Sequence, residues 1–170
     1  MSHIADTHFR YGSAGDLLSY ISHEGELQNR VGETMGDREI QEFVDKSEQH
    51  EFERDIIVSP ERDDLSDREI SEAVRDSVTE YFDNAGSVDF CYSVHRDTES
   101  LHAHVALTGE KDDLYMNQTD LGEFKQISEQ QFEQVQSRDR EIFRENSIEV
   151  EQRHDRDREQ DQDRERGRSL

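Results

Sequence analysis

The sequence predicts an α+β protein in which an antiparallel β-sheet is flanked by helices. A β-branched run at residues 52–59 is followed by a strongly amphipathic helical segment at residues 66–82. Two further apolar runs, residues 88–95 and 101–109, follow with only a short turn between them, which is typical of a hairpin. The resulting order β–α–β–β is typical of a sheet covered by helices.

The first half of the chain is predicted in order as loop, helix, loop, helix and strand. "HFRYGSAG" is interpreted as a loop that leads into a short helix with an apolar edge. Residues 25–36 contain three glycines and no period, so we expect a second loop. Residues 37–47 have apolar side chains at helical spacing, and the strand "FERDIIVS" is stopped by Pro60.

The helix at residues 66–82 carries the clearest start signal. Ser66 and Glu69 form a capping-box pattern, and Leu65 and Ile70 are spaced as a hydrophobic staple. After the hairpin, "LYMN" is a candidate short strand, and a helix is expected to begin at Thr119 or Asp120.

The composition changes at about residue 137. Beyond this position the chain is dominated by Arg, Asp, Glu and Gln, with little apolar surface to bury. Residues 1–136 are therefore predicted as one domain. Residues 137–170 are predicted as a charged helical extension and a disordered tail.

The negative charge belongs to the predicted domain. The chain has 43 acidic and 20 basic residues, and 11 and 9 of these lie in residues 137–170. Residues 1–136 therefore carry 32 acidic and 11 basic residues, a net charge of −21. Lysine occurs only three times. This composition resembles proteins of salt-loving archaea, in which a highly charged surface keeps the chain soluble.

A cytoplasmic location is expected. The single cysteine, Cys91, excludes an internal disulfide and fits a reducing compartment. No apolar run reaches the length of a membrane span, and the first residues lack the apolar core of a signal peptide.

Three histidines in "SVHRDTESLHAHVALTG" form a candidate metal site. His102 and His104 point to the same face of a strand, because side chains alternate along it. His95 ends the preceding strand and can face the same point across the hairpin. Asp97, in the connecting turn, can orient a ligating imidazole, or it can simply favour the turn. The alternative is a set of half-exposed polar residues, and imidazole ligands by themselves favour Zn²⁺, Ni²⁺ or Cu²⁺.

This segment resembles the metal-binding motif of plasmid relaxases, the HUH endonucleases that nick DNA for mobilisation. Two other stretches are similar in order and spacing. "GDLLSYISHEG" resembles the helix that presents the catalytic tyrosine, which implies Tyr20, and "FERDIIVSPERDD" resembles a strand that ends in a serine near DNA, which implies Ser59. Without the resemblance, Tyr20 is a tyrosine at the core boundary, and Ser59 merely ends a strand before Pro60.

The resemblance implies a relaxase-like HUH fold and a metal-dependent DNA nickase. Tyr20 and Asp97 would be catalytic, and Ser59 would contact DNA. His95, His102 and His104 would bind Mg²⁺ or Mn²⁺, with Zn²⁺ or Ni²⁺ as alternatives. Single-stranded DNA at an origin of transfer would be the substrate, with accessory or coupling proteins as further partners. Tyr20 would form a 5′-phosphotyrosine intermediate during plasmid mobilisation or conjugative transfer.

Two departures from the family keep alternatives open. Thr108 stands where the family commonly has Asn, and the acidic domain differs from the usual basic DNA-binding face. One alternative is a rolling-circle replication initiator of the same superfamily, with Tyr115 as its nucleophile. The other is a non-catalytic DNA-binding accessory protein.

Overall fold

The described residues of this computed structural model form an antiparallel sheet with helices on both faces. They are residues 3–11, 15–23, 25–50, 52–60, 64–96 and 101–167. The chain divides into two compact units, Met1–Val135 and Gln136–Leu170. The sheet belongs to the first unit, and the predicted α+β class with an antiparallel sheet is confirmed.

The sheet has the order β1-β3-β5-β4-β2 within the described part of the chain. Its strands are β1 (His3–Tyr11), β2 (Gln28–Asn29), β3 (Phe52–Ser59), β4 (Asp89–Arg96) and β5 (Leu101–Thr108). All the pairings are antiparallel. Because β2 has only two residues, the four long strands make up most of the sheet. Strands β4 and β5 form the predicted hairpin. Strand β5 is the central strand of the sheet.

The helices are α1 (Gly15–Ile21), α2 (Asp37–His50), α3 (Asp67–Tyr81), α4 (Lys111–Leu114) and α5 (Gln118–Gly167). On one face of the sheet, α3 and the first turns of α5 bury the larger apolar cluster, which includes Ile56, Tyr92, Val105, Ile70, Val74, Phe124 and Phe132. On the other face, α1 and α2 cover a smaller cluster that contains Leu17, Leu18, Ile21, Phe43, Cys91 and Ala106. The sheet is therefore the middle of three layers.

The start of α3 agrees with its sequence signal. The Ser66 side chain accepts a hydrogen bond from the Glu69 backbone N–H, and the Glu69 carboxylate accepts one from the Ser66 backbone N–H. Leu65 and Ile70 are both buried beside this cap. The predicted capping box is confirmed, and it satisfies two backbone donors that the helix itself leaves without partners.

Several local predictions differ from the structure. Residues 8–11, expected in a loop, belong to the edge strand β1, which has no alternating apolar pattern. "LYMN" is not a strand, because its leucine ends α4. The α5 helix begins at Gln118, before Thr119, since the Asn117 side chain accepts hydrogen bonds from the backbone of the next turn.

The second unit is helical up to Gly167. Its Arg, Glu and Gln residues are good helix formers. The large apolar side chains Ile142, Phe143 and Ile148 are exposed. The helical extension predicted from the sequence is thus present, whereas disorder of the tail is not confirmed.

Candidate metal centre

The hairpin brings the three histidines together on the sheet face that α1 and α2 cover. His95 pairs directly with His102 across the hairpin, and His104 lies two residues further along β5. The ring centroids are 5.3 Å apart for His95–His102, 4.8 Å for His95–His104 and 5.1 Å for His102–His104. One nitrogen from each ring lies within 4.8 Å of the others. The three residues are therefore close enough to bind one metal ion.

Neighbouring groups orient two of these rings. The Nε2 atom of His95 lies 2.8 Å from the Ile21 carbonyl oxygen. Because a carbonyl can only accept, Nε2 must donate its proton, and in the neutral ring Nδ1 is then the nitrogen with the lone pair. The Nδ1 atom of His104 lies 3.9 Å from Oδ1 of Asp55, so its Nε2 is the nitrogen turned away from that carboxylate. A ring held by a hydrogen bond from its second nitrogen, as His95 is, is typical of metal-binding histidines.

Asp55 is a site residue that the sequence did not reveal. It lies on β3 and is largely buried, and Oδ1 of Asp55 and Nδ1 of His104 have no hydrogen-bond partner among the described residues. Their 3.9 Å separation is too long for a hydrogen bond but short enough for electrostatic attraction. The strand pattern "FERDIIVS" places Asp55 and Ser59 on one face. Only the pairing of β3 with β5 brings Asp55 to the histidines.

Tyr20 lies beside the histidine cluster. On α1, its neighbours Leu17, Leu18 and Ile21 are buried, whereas Tyr20 is 68% exposed. Its ring meets the His104 ring edge-on, with centroids 5.9 Å apart and an interplanar angle of 85°. The apolar side of α1 therefore packs into the core, and the Tyr20 phenol is exposed to solvent while its ring contacts the histidine cluster.

The other predicted site residues have different positions. Ser59 is the last residue of β3, is partly buried and pairs with His3 of the edge strand. By strand alternation it shares the face of Asp55, at the end of the sheet where His102 lies. Asp97 falls in residues 97–100, outside the described residues.

Tyr115 and Cys91 are not brought to the cluster. Tyr115 is 58% exposed and follows α4, whose Leu114 carbonyl accepts a hydrogen bond from Arg54. Arg54 pairs with Leu107 near the far end of β5, and its side chain lies on the opposite sheet face. Cys91 is buried under α1 and α2, and this burial raises the pKa of its thiol, so the thiol stays protonated and unreactive.

Comparison with known proteins does not assign the chain to a family. No protein-family model, no curated protein and no solved structure matches the chain. Within the described residues, no helix combines the length and the apolar character that a membrane crossing requires. The function is therefore inferred from the histidine cluster, Asp55 and Tyr20.

Proposed function

We propose that the protein is a relaxase-type nickase, a metal-dependent DNA endonuclease that cuts and transfers one strand of single-stranded DNA. One observation carries the proposal: a solvent-exposed tyrosine on α1 stands against a histidine of a three-imidazole cluster on the hairpin. A nucleophile and a metal-binding centre from separate elements can then act on the same phosphate.

In the proposed step, Oη of Tyr20 attacks the phosphorus of one phosphodiester. The new tyrosyl O–P bond forms as the bond from phosphorus to the 3′-oxygen breaks. The phenol proton passes to solvent or a nearby base, and the leaving 3′-oxygen takes up a proton to become a hydroxyl. The products are a 5′-phosphotyrosyl strand and a free 3′-hydroxyl. Because one phosphate ester replaces another, a second 3′-hydroxyl can reverse the step and rejoin or transfer the strand.

His95, His102 and His104 would hold a divalent ion. Three imidazole ligands leave further coordination positions of an ion open. The Asp55 carboxylate lies beside the His104 imidazole, on the side away from Nε2, so this donor set fits a metal centre. A bound divalent ion would polarise the scissile phosphate and offset the charge on its oxygens. Imidazole donors favour Zn²⁺, Ni²⁺ or Cu²⁺. The resemblance to relaxases favours Mg²⁺ or Mn²⁺, and both sets remain candidates.

The position of the tyrosines favours this proposal over a rolling-circle initiator. That alternative uses Tyr115. The carbonyl of its neighbour Leu114 accepts a hydrogen bond from Arg54, whose side chain lies on the sheet face opposite the histidines. A plasmid origin of transfer, with accessory or coupling proteins, is the proposed setting.

The test is covalent capture of DNA. The purified protein is incubated with single-stranded fragments of the replicon that encodes it, in molar KCl with Mn²⁺, and adducts are resolved on a denaturing gel. We expect an adduct with wild-type protein and none with Tyr20→Phe, which keeps the ring and removes only the attacking hydroxyl. Tyr115→Phe is the matched control, since it removes another exposed hydroxyl, and it should leave the adduct in place.

Two results would contradict the proposal. Loss of the adduct in Tyr115→Phe, with Tyr20→Phe unaffected, would favour the rolling-circle initiator. The absence of any adduct with folded, metal-loaded wild-type protein would favour the non-catalytic DNA-binding protein.

A further inference from the structure

Ser93 lies beside the histidine cluster and has no role in the mechanism above. It precedes His95 by two residues on β4 and pairs directly with His104 of β5, so its side chain is on the histidine face. The residue is 0% exposed, and its Oγ atom has no hydrogen-bond partner among the described residues.

A buried hydroxyl without a partner is uncommon, because leaving water without a new hydrogen bond is unfavourable. Ser77 shows the usual solution, since its Oγ donates to the Ala73 carbonyl one turn earlier, at 2.6 Å. Ser93 does not adopt this solution, since its Oγ bonds to no backbone carbonyl among the described residues. The hydroxyl therefore has capacity for a partner beyond the described residues.

The backbone at Gly25 closes the space over Ser93. A Cβ at Gly25 would lie 2.5 Å from Oγ of Ser93, 2.7 Å from the Val94 carbonyl oxygen and 3.2 Å from Cδ2 of His95. One point of the loop thus touches both the hydroxyl and the edge of a candidate ligand ring. A side chain at this position would clash with the hydroxyl and with the strand, so the backbone of the loop itself covers Ser93.

We propose that Ser93 is a positioning residue of the metal centre, and that its hydroxyl holds a water ligand of the bound ion. Three imidazoles leave open coordination positions that water fills. A serine hydroxyl can both donate to and accept from such a water. The proposal rests on the metal site of the proposed function, but it does not depend on the chemistry of Tyr20.

The test measures metal binding without DNA. Mn²⁺ is titrated into wild-type protein and Ser93→Ala in a calorimeter, in molar KCl. We expect affinity to fall by about tenfold or more, as for other groups that support a metal's ligands. The metal-free variant should melt at the same temperature as wild type or higher, because the lost hydroxyl has no hydrogen-bond partner among the described residues. A purely structural serine would show the opposite pattern, with a lower melting temperature and unchanged affinity.

Ser128→Ala is the matched control. Ser128 is also 0% exposed, and its Oγ likewise lacks a hydrogen-bond partner among the described residues, but it lies on α5 in the layer behind the other sheet face. Its replacement should leave Mn²⁺ affinity unchanged. Ser93→Cys is a second variant of similar size, and a thiolate there should raise affinity for Zn²⁺ relative to Mn²⁺, since zinc prefers sulfur ligands.

Unchanged Mn²⁺ affinity in Ser93→Ala, or an unchanged Zn²⁺ to Mn²⁺ ratio in Ser93→Cys, would overturn the role of Ser93. Wild-type protein that binds neither Mn²⁺ nor Zn²⁺ would overturn both this role and the metal centre. If Tyr20→Phe kept the DNA adduct while Ser93→Ala lost metal affinity, the nucleophilic role of Tyr20 would fail and the Ser93 assignment would stand.

Discussion

Asp55 and His104 are far apart in the sequence, yet their side chains face each other because β3 and β5 are neighbours in the sheet. The carboxylate oxygen and the ring nitrogen are both buried. A negative charge at this position would make the imidazole a better electron donor and would set which of its nitrogens faces a bound ion. At the scale of single residues, Asp55 lies where a carboxylate can orient a ligating imidazole, which is the role that the sequence predicts for Asp97.

Replacing Asp55 with asparagine should weaken metal binding. The amide keeps the size of the side chain but removes the charge that faces His104. We expect affinity for Mn²⁺ and Zn²⁺ to fall by about 10- to 100-fold in calorimetry. Asp45→Asn is the control, since Asp45 is an exposed α2 residue that accepts a hydrogen bond from Gln41 at 2.8 Å. Equal affinities for wild type and Asp55→Asn would exclude a role for this carboxylate.

At the scale of elements, the end of α1 and the segment that follows it contact β4 beside the histidine cluster. The last residue of α1, Ile21, accepts the hydrogen bond from His95, and Gly25 follows closely against β4. The short strand β2 then pairs with Cys91 and Tyr92 of β4. Three successive parts of one segment therefore bind to the same strand, which fixes Tyr20 beside the cluster.

Gly25→Ala should destabilise this segment. The new methyl group would lie 2.5 Å from Oγ of Ser93 and 2.7 Å from a backbone oxygen, so the loop or the strand must shift. We expect the free energy of unfolding to fall by about 1–3 kcal/mol, as for other overpacked sites, measured by denaturant titration in molar KCl. Gly36→Ala is the control, because a Cβ there meets nothing within 4 Å. Identical midpoints for the two variants would disprove the tight approach of Gly25.

The elements with local signals were predictable, and those that depend on distant contacts were not. The α3 cap at Ser66 and the hairpin with His95 and His102 are encoded by adjacent residues, so sequence patterns located them. The edge strand β1 is stabilised by pairing with β3, and its own residues do not alternate. The contact of Asp55 with His104 likewise depends on strand order, which no local pattern specifies.

At the scale of the whole molecule, the charge is the dominant feature. Residues 1–136 carry a net charge of −21, and even the basic side chains are partly neutralised, as Lys46 is by Asp89 at 2.8 Å. Such a surface repels itself and repels DNA in dilute buffer. At 1 M salt the Debye length is about 3 Å, so this long-range repulsion is screened. DNA binding would then depend on stacking, groove hydrogen bonds and contact of phosphate with the metal centre.

Stability should therefore rise steeply with salt. We expect the melting temperature, followed by circular dichroism, to increase from 0.1 M to 1 M KCl, because screening removes most of the self-repulsion in this range. The increase should flatten towards 3 M, where little unscreened repulsion remains. Betaine at matched osmolality is the control, since a neutral osmolyte favours compact states without screening charge, and it should not reproduce the steep rise below 1 M. A melting temperature and helix content that stay constant from 3 M to 0.1 M KCl would show that the fold tolerates its charge unscreened, and that the acidic surface is no adaptation to salt.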